Sequence, residues 1–151
     1  MVTEVFVDTN VLLYAVDDRD PTKRDRAREW LATCWQRHCG RLSTQVLNEY
    51  YVNAKKKFPG AVTQGDARAE IRRYQHWRPW LIDHPTMETA WAVEARYGLS
   101  YWDALMVAAA QHMGCSLLLT EDLQHGQQID SVQILSPFLV GPDVLDQATP
   151  S

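Results

Sequence analysis

The fold class predicted by the sequence is α/β: a single domain with a mainly parallel twisted sheet and helices on both faces. Three observations predict it. Short runs rich in Val, Leu and Phe alternate with longer segments of helical periodicity. The runs "VFV", "SLLL" and "VQIL" are close to continuously apolar, as strands covered on both faces require. At 151 residues and 46% hydrophobic composition, the chain is large enough to bury one core.

"EVFVD" is short and bounded by polar residues, so it reads as a buried strand. "NVLLYAVDD" reads as a short helix capped near Thr9 or Asn10. In "DRDPTKRDRAREWLATCWQRHCG", Pro21 suits a first helical turn and Gly40 a helix end, and Ala27, Trp30, Leu31 and Cys34 form an apolar stripe. A short strand opens "RLSTQVLNEYYVNAKKKFPG", and a helix follows from about Thr44 to the residues before Pro59. "TQGDARAEIRRYQHW" is a fourth helix with Ile71 and Tyr74 inward, and "RPWLIDHP" is a brief strand. "TMETAWAVEARYG" and "LSYWDALMVAAAQHMG" are helices ending at Gly98 and Gly114. "CSLLLTED" and "VQILSPF" are the last strands. The domain is read as residues 1–138, and 139–151 as a tail with few anchors, expected to be loose.

The net charge of −4 is unevenly spread: fourteen of fifteen Lys and Arg lie from Arg19 to Arg78, and nine carboxylates lie from Asp83 to Asp146. Three cysteines with no framework spacing point to reduced thiols and a cytoplasmic setting. Cys34, His38 and Cys39 are too few for a structural zinc site and read as ordinary helix residues. No signal peptide and no run of membrane-spanning length is visible, so no membrane partner is expected.

Four acids carry the chemistry. Asp8 follows the first strand, where ligands of open α/β sheets bind; it equally suits a helix cap. Asp122 ends the "SLLLTED" run in the same way, or sits in an acidic turn. Asp103 lies at the start of a helix apolar almost all round, with no Lys or Arg in it, so it needs a cation or several donors; a capping box with Ser100 is the local alternative. Glu49 flanks the face made by Val46, Leu47 and Tyr50, or is a solvated side chain pairing with Asn53 or Lys56. Carboxylates that converge repel unless a divalent cation neutralises them, and an all-oxygen set selects Mg²⁺ or Mn²⁺. Such a centre activates water for attack on phosphorus, so the residues point to a metal-dependent phosphodiester hydrolase with a basic surface for the substrate backbone.

"VFVDTNVLLY", the acid after "LSTQVLNEY", "GLSYWDALMVAAA" and "LLLTEDLQHGQ" stand in the order and rough spacing of PIN-domain nucleases. Over residues 4–138 the chain resembles that family, and within it the VapC-type toxins of toxin–antitoxin pairs. The resemblance implies catalytic roles for Asp8, Glu49, Asp103 and Asp122, with Mg²⁺ or Mn²⁺ held by Asp8, Asp103 and Asp122. Asn10 and Thr120 match the supporting polar neighbours, and Glu121 is a candidate to join them. It also implies an endoribonuclease acting on RNA, a cognate antitoxin that blocks the site, and a homodimer.

Two further readings accompany it. Trp30, Trp35 and Tyr14 either pack in the core or line a groove for the antitoxin or a second copy. His125 either contacts phosphate or holds its own loop. The rival function is a non-catalytic RNA- or protein-binding module on the same fold, for which four converging acids have no use. A phosphatase-like or receiver-type protein lacks its second Asp and its Lys here, and no glycine-rich phosphate loop is present.

Overall fold

The structure, a computed structural model, describes residues 3–147. Five strands form one sheet: β1 (Val5–Val7), β2 (Gly40–Arg41), β3 (Leu117–Leu119), β4 (Gln128–Ile129) and β5 (Val132–Leu135), in the order β2-β1-β3-β5-β4. The β1–β2, β1–β3 and β3–β5 pairings are parallel, and β4–β5 is an antiparallel hairpin. All three residues of β1 are fully buried, as expected for a central strand covered on both faces.

Among the described residues, six α-helices surround the sheet: α1 (Thr9–Tyr14), α2 (Pro21–Arg37), α3 (Thr44–Lys57), α4 (Gln64–Tyr74), α5 (His84–Tyr97) and α6 (Tyr101–His112). Their starts follow from side chains. Asp8, Asp20, Ser43, Thr63, Asp83 and Ser100 each accept a hydrogen bond from a first-turn amide. Every residue of α6 from Ala104 to Ala110 is buried, which explains its apolar circumference.

Several expectations are corrected. "RPWLIDHP" makes only a single bridge, Trp80 to Ser43, because Asp83 and Pro85 commit the following residues to the first turn of α5. Helix α2 ends on His38, held at φ 54°, rather than on Gly40. Gly40 instead opens β2, where a Cβ would overlap the Trp77 indole. The β4 strand was not foreseen. The segment after Pro137 is anchored as far as residue 147: Trp30 Nε1 donates to the Val140 carbonyl at 3.0 Å, and Arg37 pairs with Asp146 at 2.8 Å. Residues 148–151 of the expected tail lie outside the described residues. Trp30 is fully buried and belongs to the core, not to a groove.

Candidate active site

The parallel strands β1 and β3 end side by side, and the residues that leave them meet. Asp8 leaves β1 buried at 4% exposure and caps α1 through its bond from Thr9 N. Thr120 leaves β3 and donates its hydroxyl to Asp8 Oδ2 at 2.6 Å. The Asn10 amide stands between the two strand ends: Nδ2 donates to Asp8 Oδ2 at 3.1 Å and to Asp122 Oδ2 at 3.1 Å. The Asp122 amide donates to Thr120 Oγ1 at 3.1 Å, which orients the exposed acid.

Glu49 arrives from α3. Thr9 Oγ1 donates to Glu49 Oε2 at 2.9 Å and Gln45 Nε2 donates to Glu49 Oε1 at 3.0 Å, so both oxygens are held. Neither Asn53 nor Lys56 pairs with the carboxylate; the Asn53 amide bonds the Glu49 backbone carbonyl instead. Asp103 sits half-buried in the first turn of α6, its amide donating to Ser100 Oγ at 3.2 Å. Gln45 Nε2 also donates to the Trp102 carbonyl at 3.1 Å, tying α3 to the start of α6.

The electrostatics follow from this crowding. Burial, reinforced by the charges of Asp122 and Glu49, pushes Asp8 from 3.8 up to about 7, against the pull of the Thr120 and Thr9 hydrogen bonds. Burial and the same two acids raise Asp103. The charges of Glu49 and Asp122 thus act on both Asp8 and Asp103, although Glu49 stands 41 residues from Asp8 and Asp103 and Asp122 come much later still.

Among the described residues, no three His, Cys, Asp or Glu side chains close around one point. The chemistry of the set nevertheless fits a hard divalent cation. Its donors are oxygens, Asp8 and Asp103 are raised by burial and by the charges of Asp122 and Glu49, and Asn10 Oδ1 is a buried oxygen with no hydrogen-bond partner. The Cys34, His38 and Cys39 corner fits none: both thiols are buried and free, and His38 is exposed.

Glu121 hydrogen-bonds away from Asp8, accepting from Tyr14 Oη at 2.7 Å and from Lys23 Nζ at 2.9 Å. His125 Nδ1 accepts from the Ser136 amide at 2.9 Å and so holds its own loop. Trp35 lines a cleft of about 360 Å³ with Tyr74 and Arg73, while the ring of Tyr14 packs edge-on against Phe138. Sequence reasoning missed Thr9 and Gln45. Gln45 carried a usable signal, since it lies one helical turn before Glu49.

The family model for the PIN domain matches residues 5–128. No curated protein sequence matches the chain significantly. Among solved structures, the chain is similar to a toxin–antitoxin complex from Klebsiella pneumoniae, with 20% identity and a TM-score of 0.65 over 89% of this chain and 98% of that one. It is similar to VapC20 of Mycobacterium tuberculosis, described as a sarcin–ricin loop cleaving toxin, with 21% identity and a TM-score of 0.60 over 76% and 87% of the two chains. It is also similar to a DNA-bound VapBC from Salmonella typhimurium, with 16% identity and a TM-score of 0.61 over 89% and 98%. These likenesses are of fold. The family match spans most of the sequence, and the chain belongs to the PIN domain family.

Proposed function

We propose that the chain is a Mg²⁺- or Mn²⁺-dependent endoribonuclease and the toxin of a toxin–antitoxin pair. The observation that supports this best is Asn10. Its amide bridges the acids of two strand ends, and its own carbonyl oxygen is buried and unclaimed beside them. The similar solved structures agree in kind: one is described as a sarcin–ricin loop cleaving toxin, and another as a toxin–antitoxin complex.

Asp8, Asp103 and Asp122 would hold the cation, which when bound supplies Lewis acidity at the phosphate and lowers the pKa of water. The chain's own residues do the rest. Thr120 and Thr9 fix the Asp8 carboxylate, and Asn10 sets its spacing from Asp122. Glu49, gripped at both oxygens, is the general base: it takes the proton of the water that attacks phosphorus, while the bond from phosphorus to the leaving ribose oxygen breaks and that oxygen takes a proton from solvent.

The antitoxin segment fits the cleft between α1, α2, α3 and α4, where Trp35 Nε1 is buried without a hydrogen-bond partner among the described residues. A homodimer would cover exposed apolar side chains such as Leu81 and Trp102. The setting is cytoplasmic, and no helix among the described residues is long and apolar enough to cross a membrane.

The test is RNA cleavage by purified protein with and without Mg²⁺ or Mn²⁺. Cutting is expected only with metal. It should vanish in Asp8→Asn and Asp103→Asn, with both variants folded by circular dichroism, and fall about 10²–10⁴-fold in kcat for Glu49→Gln. Cleavage by both Asp variants at the parent's rate would overturn the assignment.

A further inference from the structure

A second cleft, of about 250 Å³, is lined by Asn10 and Asp122 of the site together with Arg19, Lys57 and Phe58. Its two cations are arranged differently from ordinary surface charges. Asp17, buried at 8% exposure, grips Arg19 through Nε at 2.8 Å and Nη2 at 3.2 Å. The guanidinium also lies over the Phe58 ring, 5.0 Å from its centroid. The fork is therefore fixed while Nη1 stays without a hydrogen-bond partner among the described residues. Lys57, the last residue of α3, makes no ion pair among the described residues.

The remaining carboxylates of this cleft are engaged. Asp17 is bound to Arg19, and Glu121 is bound to Lys23 and Tyr14. Asp122 belongs to the acid group already described. Lys57 is thus the cation of the cleft that no carboxylate holds in an ion pair, though its charge is felt by Asp17, and Arg19 supplies a preorganised donor that loses little freedom on binding an anion.

We propose that Arg19 and Lys57 form a positioning clamp for the RNA phosphate next to the one being cut, so that the strand enters the acids along this cleft. The clamp rests on the nuclease reading above and adds to it the side from which the backbone approaches. Arg19 Nη1 and Lys57 Nζ hold non-bridging oxygens of that neighbouring phosphate and take no part in proton transfer.

The test separates the clamp from the nuclease reading. Binding of a short fluorescein-labelled single-stranded RNA of mixed sequence is followed by anisotropy across a salt series, in an Asp103→Asn background with Mg²⁺ present. Arg19→Gln and Lys57→Gln are each expected to weaken binding about threefold to tenfold. Each should also flatten the plot of log affinity against log salt by about 0.7, the value of one single-strand phosphate contact. Exposed Arg72 on α4, which makes no ion pair among the described residues, serves as control, and Arg72→Gln should change neither quantity. In the otherwise unaltered protein, the two clamp variants should raise KM while kcat is kept. Because Arg19→Gln also uncovers Asp17, Lys57→Gln guards against a folding defect. Cleavage by the parent with unchanged KM and salt slope in both variants would overturn the clamp alone, as would an equal loss in Arg72→Gln. Absence of metal-dependent cleavage in the parent would instead overturn the nuclease reading.

Discussion

Asp8 carries two assignments at once. It caps α1, and it is the most buried of the acids at the strand ends. Burial raises its folded pKa to about 7 from an ordinary 3.8, so between those values the folded chain holds a proton that the unfolded chain has lost. The resulting stability is fully present below pH 3.8 and disappears as pH rises through about 7. Metal-free protein should accordingly melt lower at pH 8 than at pH 5.5 on this group's account. Asp8→Asn should remove that difference and raise the melting temperature at pH 8 by several degrees, at about 2–4 °C per kcal/mol for this chain length. Mg²⁺ should raise the melting temperature of the parent at pH 8 and not that of the variant. Asp8, Asp103 and Asp122 sit at places that sequence marks locally, the end of an apolar run or the first turn of an apolar helix, whereas Glu49 lies well inside α3 and had only the edge of an apolar face to mark it. Thr9 was not singled out, because a hydroxyl that holds Glu49 leaves no mark in composition or charge, whereas the i, i+4 spacing of Gln45 and Glu49 was there to be read.

At the level of elements, the long-range packing decided what could be read. The cap of α1 is Asp8 rather than Thr9 or Asn10, but the helices announced themselves through apolar periodicity, through Pro21 and the terminal glycines and, in α6, through an unbroken apolar circumference. The β4–β5 hairpin did not. Its first strand is two residues long, and its tip is shaped by Asp130, held at φ 52° by bonds from Tyr97 Oη at 2.9 Å and Gln111 Nε2 at 3.2 Å, both on distant helices. Gly40 was misread for the same reason. Its lack of a side chain serves the Trp77 indole, which packs with Trp35 and Tyr74 at ring-centroid distances of 5.0 and 4.7 Å. Gly40→Ala should therefore overpack the β2 edge and destabilise the fold by about 1–3 kcal/mol. Chemical denaturation would show it as a lower midpoint at unchanged slope.

Across the whole molecule, the segment after Pro137 and helix α2 are joined by two contacts of unequal weight. Trp30, itself fully buried, donates through Nε1 to the carbonyl of half-buried Val140, whereas Arg37 and Asp146 pair in solvent. Trp30→Phe strands a carbonyl and leaves a void, and should cost about 2–4 kcal/mol, seen as a lower melting temperature. Arg37→Gln should leave that temperature within error, since exposed pairs contribute little. The sheet order has a consequence for the making of the protein. β1 takes its central place only when β3 has arrived beside it, and Thr120 and Asp122 come with β3. On the reading proposed above, a chain still emerging from the ribosome holds Asp8 and Asn10 without their counterparts. On that reading it gains its cutting site only after nearly all of its strands have been synthesised.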